Sequence, residues 1–217
     1  NMGEGDHGSM LAVSASAAVI HEILEAEQLD LIIANNNAPR QVVLSGATDQ
    51  IRRAAEVLKK RGLSAKVLTV SAAFHSSFVS AAEKPFAQFM QSIRFHKGKL
   101  PAYANTTAEC YPQAEAAVRQ LLARQLAQPV EFVTLIENMY AKGIRTFVET
   151  GPGNTLTGLV RSILGDRDHT SITLDASKGK QGGQYDLACT LARLAALGHG
   201  CRISLWDAQW LTQLPAA

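Results

Sequence analysis

The segment Val70–Phe78, VSAAFHSSF, sets one imidazole, His75, between an apolar run and two serines. Histidine can take a proton from a hydroxyl or thiol near neutral pH and return it to a leaving group. A lone histidine beside an apolar strand is more often a structural residue with one hydrogen bond, and position alone favours that role. Two features raise the catalytic one. The ring falls at the expected C-terminal end of a strand, where α/β sheets collect their chemistry, and the serines after it open a helix. A base needs a nucleophile, yet the strand-turn-helix elbow G-x-S-x-G is missing from the 217 residues. VLSGA lacks the glycine two residues before its serine, and Ser76 and Ser77 adjoin His75 too closely to be presented to it. The chain holds half of a catalytic pair.

Three other stretches carry candidate chemistry. In ANNNAPRQVVLSG, Ala34–Gly46, the carboxamides of Asn35, Asn37 and Gln41 are either loop formers around a Pro-Arg turn or contacts for a polar acyl group or pantetheine amide. In ARQLAQPVEF, Gln125 lies near the end of one helix and Pro129 starts the next; spacing alone makes Gln125 an ordinary surface residue. ETGPGNTLTGLV, Glu149–Val160, puts glycines between a strand and a helix, as phosphate loops do. A P-loop needs Lys-Ser/Thr after Gly158, where this chain has Leu159 and Val160, and a dinucleotide loop wants glycine at Leu156. The stretch therefore reads as a tight turn with Asn154 or Thr155 as helix cap.

The elements that must position these residues follow from periodicity. Residues 9–71 give the order β-α-β-β-α-β, the split, ferredoxin-like arrangement. Ile20, Ile23, Leu24 and Glu27 track one helix face. Ile51, Ala54, Ala55 and Leu58 track another, with Thr48 or Asp49 as its N-cap and Gly62 as its C-cap. SAKVLTVSA closes the unit as a strand. Beyond His75, helices are expected over Ser77–Ser92, Gln113–Leu126, Pro129–Lys142, Asn154–Leu164 and Tyr185–Leu197, with strands at AYANTTA, TFVET and SITLD and a flexible loop over Lys178–Tyr185. Strands alternating with helices suggest a parallel sheet, and hence an α/β class.

Composition narrows the partners. With 47% hydrophobic and 18% charged residues, a packed core is expected rather than disorder. A net charge of +2 with interspersed signs gives no basis for nucleic acid or an anionic membrane. No apolar run approaches the ~20 residues of a membrane span. Cys110, Cys189 and Cys201 are widely spaced and form no C-x-x-C pair; they read as reduced thiols of a cytoplasmic protein. The scattered histidines argue against a metal. The opening NMGEGDHGSM reads as the middle of something longer.

Taken together, ANNNAPRQVVLSG, VSAAFHS, RQLAQPVEF and FVETGPGNTLTGLV resemble the malonyl-CoA:acyl-carrier-protein transacylase family in order and rough spacing. That family includes the acyltransferase domains of polyketide and polyunsaturated-fatty-acid synthases. The resemblance runs from about Gly8 to Ile172, and the tail LARLAALGHGCRISLWDAQWL is similar to the linker that follows such a domain in a synthase.

The resemblance implies part of an α/β-hydrolase-like large subdomain, residues 72–176, with an inserted ferredoxin-like small subdomain, residues 9–71, and a linker over 177–217. It implies transfer of a malonyl-type unit from coenzyme A to an acyl carrier protein, with no cofactor besides the thioester substrate. His75 matches the catalytic histidine, and Gln125 the glutamine whose backbone carbonyl orients the ring in place of an acid. Asn35, Asn37 and Gln41 match polar residues beside the substrate cleft. The family's G-H-S-x-G serine and carboxylate-clamping arginine would lie in an upstream segment of the same synthase, so the chain alone is expected to be inactive and to fold poorly. Phe74 stands where malonyl-specific members carry His-Ala-Phe-His and methylmalonyl-specific ones Tyr-Ala-Ser-His, and its ring would fill the space a 2-methyl branch needs. Two rival functions share the scaffold: an acyl-thioester hydrolase, and an inactive docking domain.

Overall fold

The structure, a computed structural model, describes residues 6–96 and 98–202. The chain divides into two compact units, one of residues up to 144 with 162–165, the other of 145–161 and the residues from 166 on.

The first unit opens with β1 (Ser9–Val13), α1 (Ala17–Ala26), β2 (Leu31–Ala38), β3 (Gln41–Gly46), α2 (Thr48–Lys60) and β4 (Ala65–Val67). The sheet order is β2-β3-β1-β4 with every neighbouring pair antiparallel, which is the split arrangement read from the sequence. Alternation along the strands sends Leu11, Val13, Val42 and Leu44 to one face, where they meet Ile20, Ile23 and Leu24 of α1 and Ile51, Ala54 and Leu58 of α2. Burying each large member contributes roughly 1.5–3 kcal/mol. Met10, Ala34 and Val43 pack separately with Ala12 and Leu68.

Helix ends show where local pattern was sufficient. Ser16 caps α1, its hydroxyl accepting from the Val19 N–H. After α2, Gly62 at φ +73° donates to Lys59 O, and Leu63 donates to Leu58 O, a paired closure that satisfies two terminal carbonyls. The start of α2 differs from expectation. Thr48 is already helical, and the capping carboxylate comes from Asp6, which accepts the Thr48 hydroxyl at 2.6 Å and its N–H at 2.8 Å. Those bonds, with one from Gly8 N–H, hold the Asp6 carboxyl below the usual range.

Four expected elements are corrected. The closing strand is just Ala65–Val67, which stops opposite Leu11 and is extended by one bond from Leu68 N–H to Met10 O. The asparagines are not in the turn; Asn35–Asn37 belong to β2, whose register slips at Ile33/Asn35 and Asn36/Ala38. The helix expected over Ser77–Ser92 splits into a 3-10 stretch, Ser77–Ala82, and α3 (Glu83–Gln91). Pro85 explains the break, since it has no N–H to continue an α-ladder back to Ala81 and its ring crowds that carbonyl. AYANTTA is no strand. Ala104 N–H bonds Glu109 O, Ala108 N–H bonds Ala104 O, and Ala108 takes φ +57°, so the segment closes on itself.

α4 (Glu115–Arg124) and α5 (Phe132–Ala141) complete the unit. Arg119 donates to Met90 O and Ile93 O at the end of α3, while Glu115 accepts from Phe95 N–H, pinning α3 to α4. From α5, Asn138 donates to Ala108 O and Lys142 pairs with Glu109 at 2.8 Å, fixing the 104–109 turn.

In the second unit β5 (Thr146–Glu149) and β6 (Thr170–Thr173) pair in parallel, with α7 (Gly183–Ala196) and the part of α6 (Thr155–Leu164) up to Arg161 as the helices. The Gly-Pro-Gly turn spends its donors internally. Glu149 accepts from Leu156 N–H at 3.1 Å and from Thr157 N–H and hydroxyl at 2.8 and 2.7 Å, and Asp175 accepts from Gly153 N–H. A carboxylate already fills the anion site that a helix N-terminus offers. The loop expected over Lys178–Tyr185 is shorter, because α7 starts at Gly183, and it is tied down: Asp186 accepts from the Ser177 N–H and hydroxyl, and Asp175 from Gly179 N–H. Cys110, Cys189 and Cys201 are free thiols. Among the described residues no helix is long and apolar enough to cross a membrane. The tryptophan motif of the tail lies outside the described residues.

Two predictions follow from these contacts. Burial pushes the Glu149 carboxyl up, but the Thr157 and Leu156 bonds outweigh it and leave it below 4.5. Its stabilising contribution is therefore complete above pH 4.5 and is lost as pH falls through the lowered value. Glu149→Gln should cost about 1 kcal/mol at pH 7 in thermal melts, and the gap to the parent should close as the pH is taken well below 4.5. Gly8 sits at φ +71°, and an added Cβ would lie 2.5 Å from Ala73 Cβ and 2.7 Å from Gly46 O. Gly8→Ala should lower stability by about 1–3 kcal/mol, read as a drop in melting temperature at pH 7.

Candidate active site

His75 stands on the connection after β4, eight residues beyond the end of that strand rather than at its tip. Its backbone takes φ +58°, the left-handed region that costs a residue with a Cβ about 1–2 kcal/mol. Bonds on both sides hold it there. Before it, Ala73 N–H donates to His7 O, and the buried Ser45 hydroxyl donates to Phe74 O at 2.9 Å. After it, Ser76 donates to Ala73 O at 2.5 Å and accepts from Phe78 N–H, opening the 3-10 stretch. His75 N–H itself donates to Leu126 O at 3.1 Å.

The ring meets the end of α4. Nδ1 lies 3.2 Å from Gln125 O and 3.0 Å from Gln128 O. Backbone carbonyls can only accept, so Nδ1 carries the hydrogen and Nε2 keeps its lone pair. Gln125 is the C-cap residue of α4, and the final carbonyls of a helix lack partners within it. The carbonyls of Gln125, Leu126 and Gln128 thus all serve His75. The negative end of the helix dipole faces the ring, which favours the positive charge it gains when Nε2 takes a proton. The Gln125 side chain is held separately: its Oε1 accepts the Tyr111 hydroxyl at 2.9 Å.

β2 is tied to the same segment. Val130 N–H donates to Ala34 O and Asn36 N–H donates to Val130 O, each at 2.9 Å, so the chain just past Gln128 runs parallel to the asparagine stretch. Asn35 is opposite Val43, and Ala38 opposite Gln41. In β3 that register puts Gln41, Val43 and Ser45 on one face, with Asn35, turned away from the helices. Asn35 and Asn37 are half-buried, and Asn37 is the extra residue of the second bulge. Gln41 is exposed where the hairpin begins β3. The Phe74 ring is 39% exposed beside the histidine.

Of the six residues singled out from the sequence, the structure joins His75 to Gln125 directly, and Phe74 precedes His75 in the chain. Asn35 belongs to the strand bonded to Val130. Sequence reasoning missed Gln128 and Ser45. Gln128 had a signal, since the residue before a proline avoids helical geometry, so the helix must end there and leave carbonyls to be satisfied. The Ser45 hydroxyl, in a segment without the elbow glycine of a nucleophile, anchors the loop that carries His75. Among the described residues no cluster of His, Cys, Asp or Glu could hold a metal.

Comparison with known proteins fits this geometry. The model of the acyl transferase domain matches residues 3–188. Over 161 residues the chain is 38% identical to the polyketide biosynthesis protein ThaF of Burkholderia thailandensis, covering 73% of this chain and 14% of that protein. It is 36% identical over 165 residues to the polyketide biosynthesis malonyl CoA-acyl carrier protein transacylase BaeC of Bacillus velezensis, covering 74% of this chain and 56% of BaeC. The crystal structure of malonyl CoA-acyl carrier protein transacylase from Clostridium perfringens matches with a TM-score of 0.77 at 30% identity, over 91% of this chain and 60% of that one. The chain thus spans little more than half the length of these transacylases. On the match across residues 3–188, it belongs to the acyl transferase domain family.

Proposed function

We propose that this chain supplies the general base of a cytoplasmic acyltransferase moving a malonyl-type unit from coenzyme A to an acyl carrier protein. The observation that carries the reading is the pair of carbonyls, Gln125 O and Gln128 O, on His75 Nδ1, which leaves Nε2 free to accept a proton. BaeC, by its name, acts between malonyl-CoA and an acyl carrier protein, and that chemistry is carried over here as part of the proposal.

The nucleophile would be a serine in a G-H-S-x-G elbow outside these residues, together with an arginine for the free carboxylate. His75 Nε2 takes the serine proton as the serine oxygen attacks the thioester carbonyl. The carbon–sulfur bond breaks, and the coenzyme A sulfur leaves with that proton. The carrier thiol then gives its proton to Nε2 and attacks the acyl-serine ester, and the serine oxygen takes the proton back. In this reading residues 9–71 are a ferredoxin-like small subdomain inserted in an α/β-hydrolase-like one that includes 72–176, and 177–217 lead out of it. Asn35, Asn37 and Gln41 contact the thioester substrate, and Phe74 crowds the position of a 2-methyl branch.

In a full-length protein that carries this chain and the elbow serine, His75→Ala should lower malonyl transfer to the carrier by about 10²–10⁴-fold. Retention of transfer within a few-fold would overturn the reading, and release of free malonate as the main product would replace transfer by hydrolysis. Phe74→Ser should raise the methylmalonyl-to-malonyl ratio of kcat/KM by about tenfold or more, the discrimination one methyl group provides. Equal use of both thioesters by the parent would remove that role from Phe74.

A further inference from the structure

We infer that Tyr111 is a positioning residue for His75, acting through Gln125. This rests on the reading of His75 as the general base and adds a residue whose contact lies with the side chain of Gln125, not with its carbonyl.

Tyr111 is the last residue of a rigid turn. Its N–H donates to Ala102 O at 2.8 Å, and Tyr103 bridges Cys110 just before it. The turn is fastened to α5 through Asn138, which donates to Ala108 O, and through the Lys142–Glu109 pair. From this support the phenol hydroxyl donates to Gln125 Oε1 at 2.9 Å. Burial pushes the Tyr111 phenol up, so it stays a neutral donor through the working pH range. Tyr111 lines a cleft together with Phe95, Pro101, Val118 and Leu122.

The need for such a tether follows from the geometry of the helix end. Gln125 is the C-cap residue, φ −59° and ψ −24°, where α4 has run out of following turns to hold it. Its carbonyl must stay within reach of Nδ1, at 3.2 Å already a long bond. Fixing the Gln125 side chain to a separate, braced turn removes freedom about Cα and with it the swing of the carbonyl. Without the hydroxyl, a half-buried Oε1 loses its donor and the side chain must search for another. Sequence spacing made Gln125 a surface residue; the Tyr111 bond is a reason for a glutamine at a position whose contact with the base is made by backbone alone.

The test is a double-mutant cycle of Tyr111→Phe and Gln125→Met, each removing the same hydrogen bond from opposite ends. On the nitrogen-15-labelled full-length protein that carries this chain, the ring nitrogen shifts of His75 report its tautomer directly. In the parent the shifts should be those of a fixed Nδ1–H tautomer. In each variant they should move toward each other, and the double variant should match the singles. In the full-length protein kcat should fall about tenfold in each variant with KM within twofold and the protein still folded at the assay temperature, a split that a merely structural role would not give. If Tyr111→Phe leaves the His75 shifts and kcat unchanged, or if the two substitutions add, the inference is overturned. Should Tyr111→Phe fail to fold, Gln125→Met alone decides, since it spares the turn and the ring. The tautomer readout needs no activity, so loss of the transferase reading by an active His75→Ala would be seen separately.

Discussion

A helix C-terminus needs donors, and an imidazole in the role proposed for His75 needs one tautomer. The contact between α4 and His75 meets both needs with the same atoms. Many helices end on a glycine in left-handed geometry, which folds the chain back so that its own N–H groups cap the carbonyls. α2 does this with Gly62. After α4, Ala127 and Gln128 N–H close on Arg124 O, but the carbonyls of Gln125, Leu126 and Gln128 are met by the ring and the backbone N–H of a residue about fifty positions earlier. The left-handed residue of this closure is His75 itself.

That arrangement explains why so much of the first unit is committed to a nine-residue connection. The strain at His75, about 1–2 kcal/mol, is comparable to the net gain of one or two hydrogen bonds. The loop therefore needs contacts besides those with the helix. Ser45 from the centre of the sheet, His7 from ahead of β1, and the Gly8 backbone pressed against Ala73 supply them. The asparagine strand contributes from the other side, since its ladder with Val130 fixes the chain immediately after Gln128. Helix end, loop and sheet hold one another in place.

What the sequence made legible was periodic and local. The apolar stripes of α1 and α2, the strand alternation and the Gly62 closure each depend on neighbours within about two turns, and all were readable. What it hid depends on distant partners. Nothing near Thr48 announces that Asp6 will cap α2, forty-two residues away. Asn35–Asn37 lie in strand where β3 and Val130 flank them. At the site, His75 and Gln125 were assigned through a resemblance. The Nδ1 geometry came from the fold, as did the second carbonyl at Gln128.

A neutral orienting group has a further consequence for the malonyl-type substrate proposed here. A catalytic histidine is commonly fixed by a carboxylate, which also stabilises the imidazolium formed in the reaction. A malonyl thioester brings its own free carboxylate to within a few ångströms of the reacting carbonyl. Two like charges held that close in a partly desolvated cleft would oppose each other and favour protonation of one of them. Carbonyl dipoles at the end of a helix keep the Nδ1–H tautomer and part of the electrostatic support while adding no net charge. In that reading the orienting group adds no anion beside the substrate's carboxylate. A backbone acceptor also holds its place through φ and ψ rather than through side-chain rotamers, so the base is oriented by the fold itself.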